Sequence, residues 1–193
     1  EIVGWGLDLD EPRDPRTVVL EFYGKNTKDY ISDALTANEF RSEMGYHGFT
    51  YNIDWRRFKP DTYTITGILV SMSGTKSLHG TFEYTVQQST GSVDAVGPGG
   101  IGGWAWKPDA PNKPIGVHVY IYDSSGNVVL FDAVEASNYR SDLASLGYGN
   151  GYHGFHMLID WAALPKGNLN VIVYAVDGSG HHPAMSNTTY YNR

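Results

Sequence analysis

Residues 151–161 read GYHGFHMLIDW, and residues 45–55 read GYHGFTYNIDW. The two stretches share the run Gly-Tyr-His-Gly-Phe, and both end in Ile-Asp-Trp. Agreement of this length within a chain of 193 residues indicates an internal duplication. The sequence therefore predicts two copies of one structural unit.

The alignment of the two copies extends in both directions from the shared stretch. Downstream, the start positions 151 and 45 differ by 106 residues, and this offset aligns Ile65 with Val171. Upstream, the offset is 99 residues and aligns Trp5 with Trp104. The difference between 106 and 99 is a seven-residue insertion in the second copy, residues 144–150. Its Gly, Ser, Asn and Tyr content predicts a surface loop, and such loops often carry binding specificity.

Composition and periodicity together predict the fold class. Charged residues make up only 18% of the chain, aromatic residues 13%, and there are 23 glycines. Short stretches that alternate apolar and polar residues are separated by turn residues, which is typical of β-sandwiches. In residues 115–122, Val117, Val119 and Ile121 share one face, and His118, Tyr120 and Tyr122 share the other. We expect an all-β protein of two tandem immunoglobulin-like β-sandwich domains of related sequence.

The duplication also predicts the domain limits. The first sandwich is expected to span residues 1–88 and the second residues 91–193, with residues 38–44 forming a single helical turn in the first. Glu1 aligns with Gly100, so the first copy has no counterpart of the strand predicted at residues 92–96. We expect the sequence to be a piece of a longer polypeptide that begins after that strand, rather than a domain that borrows it.

Charge and cysteine content exclude several classes of protein. The net charge is -7, with 14 Lys and Arg against 21 Asp and Glu, and there is no basic run. Binding to nucleic acid or to an anionic membrane surface is therefore not expected. No apolar run reaches the ~20 residues of a membrane-spanning helix, so no membrane insertion is expected. Because the chain has no cysteine, disulfides and thiol chemistry are excluded.

The sequence contains no motif that predicts catalysis. It lacks the Gly-x-Ser-x-Gly elbow, the His-Glu-x-x-His motif, a phosphate-binding loop and a dinucleotide fingerprint. Asp54 and Asp160 occupy the same position in the two copies, which indicates a structural role rather than a catalytic pair of carboxylates. The chain is therefore predicted not to be an enzyme.

Several histidines and acidic residues are candidate metal ligands. His47 and His153 are each flanked by glycines in the repeated motif, and we predict that each ring hydrogen-bonds a nearby loop. His181 and His182 are adjacent but lack supporting ligands in the sequence. The prediction is therefore that no cofactor is bound, with calcium kept as an alternative. Its oxygen ligands would come from one acidic loop: Asp8, Asp10, Glu11 and Asp14.

Residues that recur in both copies are predicted to support the scaffold. Arg41 and Arg140 are each followed by Ser and an acid, and we expect them to bind loop carbonyls or to pair with Asp54 and Asp160. The matched tryptophans are expected in the two cores. They are Trp5 with Trp104 and Trp55 with Trp161.

The features that only the second copy has, an outward aromatic stripe, the inserted loop and Trp106, are predicted to bind a ligand. Flat aromatic rings pack on the apolar C–H faces of sugars, while amide and imidazole groups bind the hydroxyls. The predicted glycan-binding set is Trp106, His118, Tyr120, Tyr122, Tyr148 and Asn150. In the alternative, Tyr120 and Tyr122 cover a second layer of structure and bind nothing.

Several of these residues form motifs that resemble a known repeat. They are GWAW at 103–106, KPDAP at 107–111, VHVY at 117–120, Arg140-Ser141-Asp142 and GYHGF at 151–155. The set resembles immunoglobulin-like accessory repeats of secreted Gram-positive proteins, which occur in tandem beside peptidoglycan hydrolases, glycosidases and surface proteins. The first copy departs from the pattern at three positions: Leu7 replaces Trp106, Glu43 replaces Asp142 and Val19 replaces His118.

The resemblance implies a non-catalytic module of a secreted or cell-surface protein with neighbouring domains. Combined with the aromatic residues of the second copy, it favours a carbohydrate- or cell-wall-binding module that targets a larger protein to a polysaccharide or a peptidoglycan-type glycan. Two such modules on one linker would add avidity if both bind. The alternative is a structural spacer or adhesin stalk without a sugar site.

Overall fold

A computed structural model describes residues 1–10, 12–71, 73–74, 76–185 and 189–192. It divides into two compact units, Glu1–Asp54 with Asp61–Val86, and Trp55–Pro60 with Gln87–Arg193. Each unit contains two antiparallel sheets. The prediction of an all-β chain of two immunoglobulin-like sandwiches is confirmed.

Seven strands form the described part of the first unit. They are β1 (Ile2–Trp5), β2 (Arg16–Gly24), β3 (Tyr30–Ala37), β4 (Glu39–Arg41), β5 (Gly45–Tyr51), β6 (Asp61–Val70) and β7 (Lys76–Val86). One sheet has the order β1-β5-β4 and the other β3-β2-β6-β7. Alternate residues of β2 and β6 point between the sheets and are buried, among them Leu20, Phe22 and Ile65.

Among the described residues, the second unit contains eight strands, one short α-helix and two 3-10 helices, Trp55–Arg57 and Trp161–Ala163. The strands and the α-helix are β8 (Thr90–Gly97), β9 (Gly100–Trp106), β10 (Gly116–Tyr122), β11 (Val128–Glu135), β12 (Asn138–Tyr139), α1 (Ser141–Ser145), β13 (Tyr152–Met157), β14 (Asn168–Val176) and β15 (Thr189–Asn192). The sheets have the orders β12-β13-β9-β8 and β11-β10-β14-β15. Val117, Val119 and Ile121 of β10 are fully buried in a core shared with Ile101 of β9 and Phe155 of β13.

Strand pairing shows the duplication directly. Trp5 pairs with Gly48 between β1 and β5, and Trp104 pairs with Gly154 between β9 and β13. The sequence offsets of 99 and 106 residues predict these same partners. The two units therefore share one strand register around the repeated Gly-Tyr-His-Gly-Phe motif.

Two local predictions differ from the structure. Residues 38–44 do not form a helical turn, because Glu39–Arg41 is strand β4 and pairs with β5 through an irregular register. Residues 55–60, predicted within the first domain, group with the second unit. Arg56 Nη1 donates to the Pro114 carbonyl at 3.1 Å, and Lys107 Nζ donates to the Phe58 carbonyl at 3.4 Å. These contacts attach the segment to the second unit.

Candidate functional site

The six residues of the predicted glycan site do not form one patch. His118, Tyr120 and Tyr122 lie on β10, and Trp106 lies on β9 in the opposite sheet. Both groups alternate with buried residues, so they lie on the outer faces of the two sheets. The two groups therefore cannot contact one ligand surface together, because the two outer faces of a sandwich point in opposite directions.

Trp106 and its neighbour Trp104 on β9 contact the inserted loop. The Tyr148 ring packs on Trp104 and Trp106 with centroid distances of 4.6 and 5.1 Å. Trp106 Nε1 donates to the Pro111 carbonyl at 3.2 Å, and Asn150 Nδ2 donates to the Asn112 carbonyl at 3.5 Å. The polar groups of Trp106 and Asn150 thus bind the neighbouring loop, which gives Trp106, Tyr148 and Asn150 a structural role.

The group on β10 belongs to a larger aromatic surface. We call His118, Tyr120, Tyr122, Phe131 and Tyr174 the outer aromatic face. Tyr120 and Tyr122 stack at 6.3 Å with an interplanar angle of 22°. The ring of Phe131 lies 4.7 Å from Tyr120, and that of Tyr174 lies 5.7 Å from Tyr120.

Strand register explains how these rings come together. β10 lies between β11 and β14, and Tyr120 pairs with Phe131 on one side and Ile172 on the other. Side chains opposite each other in paired strands share a face of the sheet. The period of two that buries Val119 and Ile121 therefore directs Tyr120 and Tyr122 outward, where both remain half-buried.

A depression of about 430 Å³ lies at the Tyr122 end of the outer aromatic face. Asn168, Asn170 and Ile172 of β14 line it together with the β10–β11 turn. The Oδ1 atom of Asn170 is buried and has no hydrogen-bond partner among the described residues. A buried acceptor without a partner costs free energy. A rotation of the Asn170 side chain that turns Oδ1 toward the depression would let a hydroxyl donor recover that cost.

The turn that borders the depression is rigid. The Asp123 carboxylate accepts hydrogen bonds from the backbone amides of Ser125 and Asn127 at 2.8 and 2.9 Å. The bond from the Asn127 amide is the main reason that the pKa of Asp123 is lowered. The Asp123 carboxylate is thus hydrogen-bonded within the turn. The turn, which forms the edge of the depression, therefore needs little rearrangement when a ligand binds.

The five side chains of the outer aromatic face carry no charge at pH 7. Burial, with a smaller contribution from His182, lowers the pKa of His118 below its usual value of 6.5. The outward positions of β10 from Gly116 to Tyr122 and of β14 from Asn170 to Val176 carry no Asp, Glu, Lys or Arg. Such a surface suits an uncharged ligand that offers apolar faces and hydroxyls.

The repeated histidines occupy matching positions. His47 Nε2 lies 2.9 Å from the Pro12 carbonyl, and His153 Nε2 lies 2.8 Å from the Pro111 carbonyl. Because a carbonyl only accepts, Nε2 carries the proton in each ring. Burial lowers the pKa of His153, although its bond to Pro111 has the opposite effect. Each histidine thus fixes a proline-rich loop beside its repeated motif.

The two repeated arginines have different partners. Arg140 donates to both oxygens of Asp142, at 3.0 and 2.6 Å, and also to Asp94 of β8. Arg41 Nη2 donates to Glu39 at 3.2 Å and to the Phe49 carbonyl at 3.1 Å. Arg140 does not use Asp160 in this arrangement, because Asp160 caps the Trp161–Ala163 3-10 helix through the Ala162 amide.

The matched tryptophans are not equally buried. Trp55 and Trp161 are each 8% exposed, and Trp161 Nε1 donates to the Gly97 carbonyl at 2.8 Å. Trp5 is 46% exposed, and Trp104 is only half-buried beneath Tyr148. The prediction that all four lie in a core is wrong for Trp5 and Trp104, because both are on outward positions of their strands.

A buried ion pair in the second unit is not predicted by the sequence patterns. Lys107 and Asp177 have fully buried side chains, and Lys107 Nζ lies 2.8 Å from Asp177 Oδ2. Lys107 also donates to the Gln87 carbonyl at 3.1 Å, and Asp177 accepts from Ser89 and Ser179. Neither charged residue has a counterpart in the first copy, since Asp8 and Ser71 stand at the matching positions. The alignment of copies therefore gives no indication of the pair.

The acidic loop has protein partners of its own. Asp8 Oδ1 accepts from the Asp10 amide at 3.1 Å, and Asp8 Oδ2 lies 3.5 Å from Arg16 Nε. Glu11, the third acid of the proposed calcium alternative, lies outside the described residues. Within those residues, no group of three or more His, Asp or Glu is placed to hold a metal ion. No helix in the same part of the chain is long and apolar enough to cross a membrane.

Comparisons with known proteins do not identify a function for the chain. No protein-family model and no curated protein sequence matches the chain. Among solved structures, the chain is similar to fibronectin(III)-like modules of Clostridium thermocellum CbhA. The match has 14% identity and a TM-score of 0.25, and covers 86% of this chain and 75% of that one. A likeness at that TM-score carries no information about what this chain binds.

Proposed function

We propose that the second sandwich binds a neutral polysaccharide on its outer aromatic face, as a non-catalytic module of a larger secreted or cell-surface protein. The observation that carries the proposal is the stacked pair Tyr120 and Tyr122, which leads into a depression with the unpartnered Oδ1 of Asn170. The pair offers two adjacent ring surfaces, and the asparagine offers an acceptor for a sugar hydroxyl once its side chain turns toward the depression.

The chemistry of the face favours a sugar over other ligands. The five side chains of the face offer no ion-pair partner to a charged peptide. The acids that border the face are Asp123, whose carboxylate is bonded within its turn, and Glu135, which lies opposite Gly116. A purely apolar ligand would leave Asn170 Oδ1 unsatisfied, whereas a pyranose supplies C–H faces and hydroxyls together. Extended strands also place successive outward residues about 7 Å apart, which spreads the rings along a chain of sugar units.

The test measures binding of the whole chain to cellulose, xylan, mixed-linkage β-glucan and purified peptidoglycan. We expect one of these to bind, with Tyr120→Ala and Tyr122→Ala each weakening binding at least tenfold and Asn170→Ala weakening it less. The matched control is Tyr152→Ala, which removes an exposed ring on the outer face of the other sheet. It should leave binding unchanged.

Two results would count against the proposal. If none of the four polysaccharides binds, the spacer alternative becomes the better explanation. If Tyr152→Ala weakens binding as much as Tyr120→Ala does, the polysaccharide is held by exposed aromatic rings in general rather than by the outer aromatic face. Folding of every variant is checked by its thermal unfolding profile.

A further inference from the structure

Two histidines meet on the surface of the second unit, at the end of the outer aromatic face that lies away from the depression. The imidazole rings of His118 and His182 have centroids 6.0 Å apart, with an angle of 43° between the ring planes. The two residues are far apart in the sequence, so only the fold brings them together. The sequence gives His182 no supporting metal ligand, and the fold supplies His118.

Strand pairing explains how the two rings converge. His118 pairs with Tyr174 of β14, and Tyr174 forms a bridge with Ala184 on the other side of β14. Residues that pair across strands share a face of the sheet, and so do residues two apart in an extended segment. His182 therefore lies on the same outer face as His118, and β14 separates the two backbones.

Backbone hydrogen bonds hold the segment that carries His182. The Ala175 amide donates to the Pro183 carbonyl at 3.1 Å, and the Met185 amide donates to the Val173 carbonyl at 2.8 Å. Pro183 has a fixed φ and confines the preceding residue to extended conformations. The backbone of His182 is thus already ordered, and a ligand that binds its ring does not have to order it.

The nitrogens of the two rings are not used elsewhere. Among the described residues, no hydrogen bond reaches either imidazole, and the neighbours of His118 are the rings of Phe131, at 5.3 Å, and His182. In His47 and His153, one nitrogen is bonded to a proline carbonyl. Burial also lowers the pKa of His118, which favours the neutral imidazole that metal ions bind.

The distance between the rings suits one metal ion between them. A bond of about 2.0–2.1 Å from metal to nitrogen places the centroids of two coordinating rings roughly 5–6 Å apart. The separation of 6.0 Å therefore requires only rotation of the two side chains. No third His, Asp or Glu completes the site in the part of the chain that the structure describes, so water would fill the remaining positions.

We infer that His118 and His182 together bind one divalent transition-metal ion. Imidazole suits copper, nickel and zinc, whereas calcium and magnesium require oxygen ligands. The bound ion links the segment around His182 to β10 across β14. This site is independent of sugar binding, since it uses neither the stacked pair of tyrosines nor Asn170.

The test titrates the whole chain, without an affinity tag, with Zn²⁺ alone and with Cu²⁺ alone. Calorimetry should show one ion per chain, with Cu²⁺ bound more tightly than Zn²⁺. In NMR spectra, Zn²⁺ should shift the ring nitrogens of His118 and His182, whereas millimolar Ca²⁺ should shift neither. Hydrogen exchange of the Ala175 and Met185 amides should slow when Zn²⁺ binds, because the ion joins the segment to the sheet.

Variants identify the ligands. His118→Gln and His182→Gln should each weaken Zn²⁺ binding at least tenfold. The double variant should bind no more weakly than either single variant, because both rings hold the same ion. The matched controls are His156→Gln, which removes an exposed histidine from the other sheet, and His181→Gln, which removes the sequence neighbour of His182. Both controls should bind Zn²⁺ as the natural sequence does, and thermal unfolding checks that every variant is folded.

Three results would overturn the inference. If His181→Gln weakens Zn²⁺ binding as much as His182→Gln does while His118→Gln has no effect, the adjacent histidines hold the ion and β10 takes no part. If all four variants weaken binding equally, Zn²⁺ binds surface histidines in general. Absence of binding at millimolar Zn²⁺ would show that the two rings do not form a metal site.

Discussion

Removal of the Lys107 ammonium group is the change that we expect to destabilise the second unit most. Lys107 and Asp177 are both fully buried, and their ion pair is surrounded by bonds to Gln87, Ser89 and Ser179. In Lys107→Met the chain keeps a side chain of similar length, but the Asp177 carboxylate stays in the interior without its cation. That uncompensated charge, rather than lost packing, dominates the cost.

The expected magnitude follows from the burial of the pair. Breaking a buried pair by removing one partner costs about 3–5 kcal/mol. For a domain of this size, 1 kcal/mol corresponds to about 4 °C in Tm, so Lys107→Met should lower the Tm of the second unit by roughly 12–20 °C. Lys25→Met, which breaks the exposed pair between Lys25 and Glu83, is the control and should change the Tm within experimental error.

Chemical denaturation, with hydrogen exchange in β10 and β14 as the local readout, measures the free energy of unfolding of the second unit. Lys107→Met, Asp177→Asn and the double variant form a cycle in which the double variant should cost less than the sum of the single variants. The shortfall should be at least about 2 kcal/mol, because the second substitution removes a charge that the first left unpaired. Additive effects, or single costs below about 1 kcal/mol, would refute the reasoning.

The ion pair between Lys107 and Asp177 also affects how the stability of the second unit depends on pH. Burial alone would raise the pKa of Asp177, but the hydrogen bonds from Lys107, Ser179 and Ser89 outweigh it and lower the pKa. A carboxyl whose pKa is lower in the folded state stabilises the protein above its unfolded pKa of about 3.8. That contribution is lost as the pH falls through the folded pKa, so Lys107→Met should show a smaller loss of stability in acid than the natural sequence.

Three further predictions concern the loops of the second unit. Since burial lowers the pKa of His153, protonation opposes folding, and the Tm of the unit should fall as the pH drops below about 6.5. His153→Gln should flatten that slope, whereas His156→Gln at an exposed neighbouring site should not. Trp106→Phe removes the indole bond to Pro111, worth about 1 kcal/mol, and should speed hydrogen exchange in residues 146–151. Gly149→Ala should cost more than Gly147→Ala in thermal unfolding. Both have positive φ, but only the Cβ at 149 would lie 1.6 Å from the Pro111 carbonyl oxygen. Equal costs would show that the loop moves away from the clash.

Periodicity predicts the sandwich because alternate residues of each strand are buried between the two sheets. The alternation of Val117, Val119 and Ile121 with His118 and Tyr120 correctly predicts strand β10 and its two faces. The same period places Tyr120 and Tyr122 on one surface. It cannot show that Phe131 and Tyr174 complete that surface, because this depends on the register of β10 with β11 and β14.

The sequence does not show which of the predicted site residues lie together, for a related reason. Trp106, Tyr148 and Tyr120 are all aromatic, and none of them has an aromatic counterpart in the first copy. These two properties do not show that the residues lie close together in the fold. Which sheet a strand joins is a tertiary property, and β9 and β10 belong to opposite sheets although they are consecutive in sequence. The residues that differ between the copies therefore fall into two groups. One group holds the inserted loop against β9, and the other forms the candidate binding face on β10.

The assumption that shared residues support the scaffold does not require those residues to be buried. Phe40 and Tyr46 are 64% and 67% exposed in the first unit, and their counterparts Tyr139 and Tyr152 are 56% and 51% exposed in the second. Both pairs keep ring contact, at 5.4 and 5.1 Å. Cross-strand aromatic pairs stabilise a sheet even at the surface, so packing between the rings is sufficient to explain the pairs in both copies. Neither sharing nor exposure alone then marks a binding face, since Tyr120 and Tyr122 are less exposed than these rings. The outer aromatic face is favoured instead by its depression and its unsatisfied acceptor.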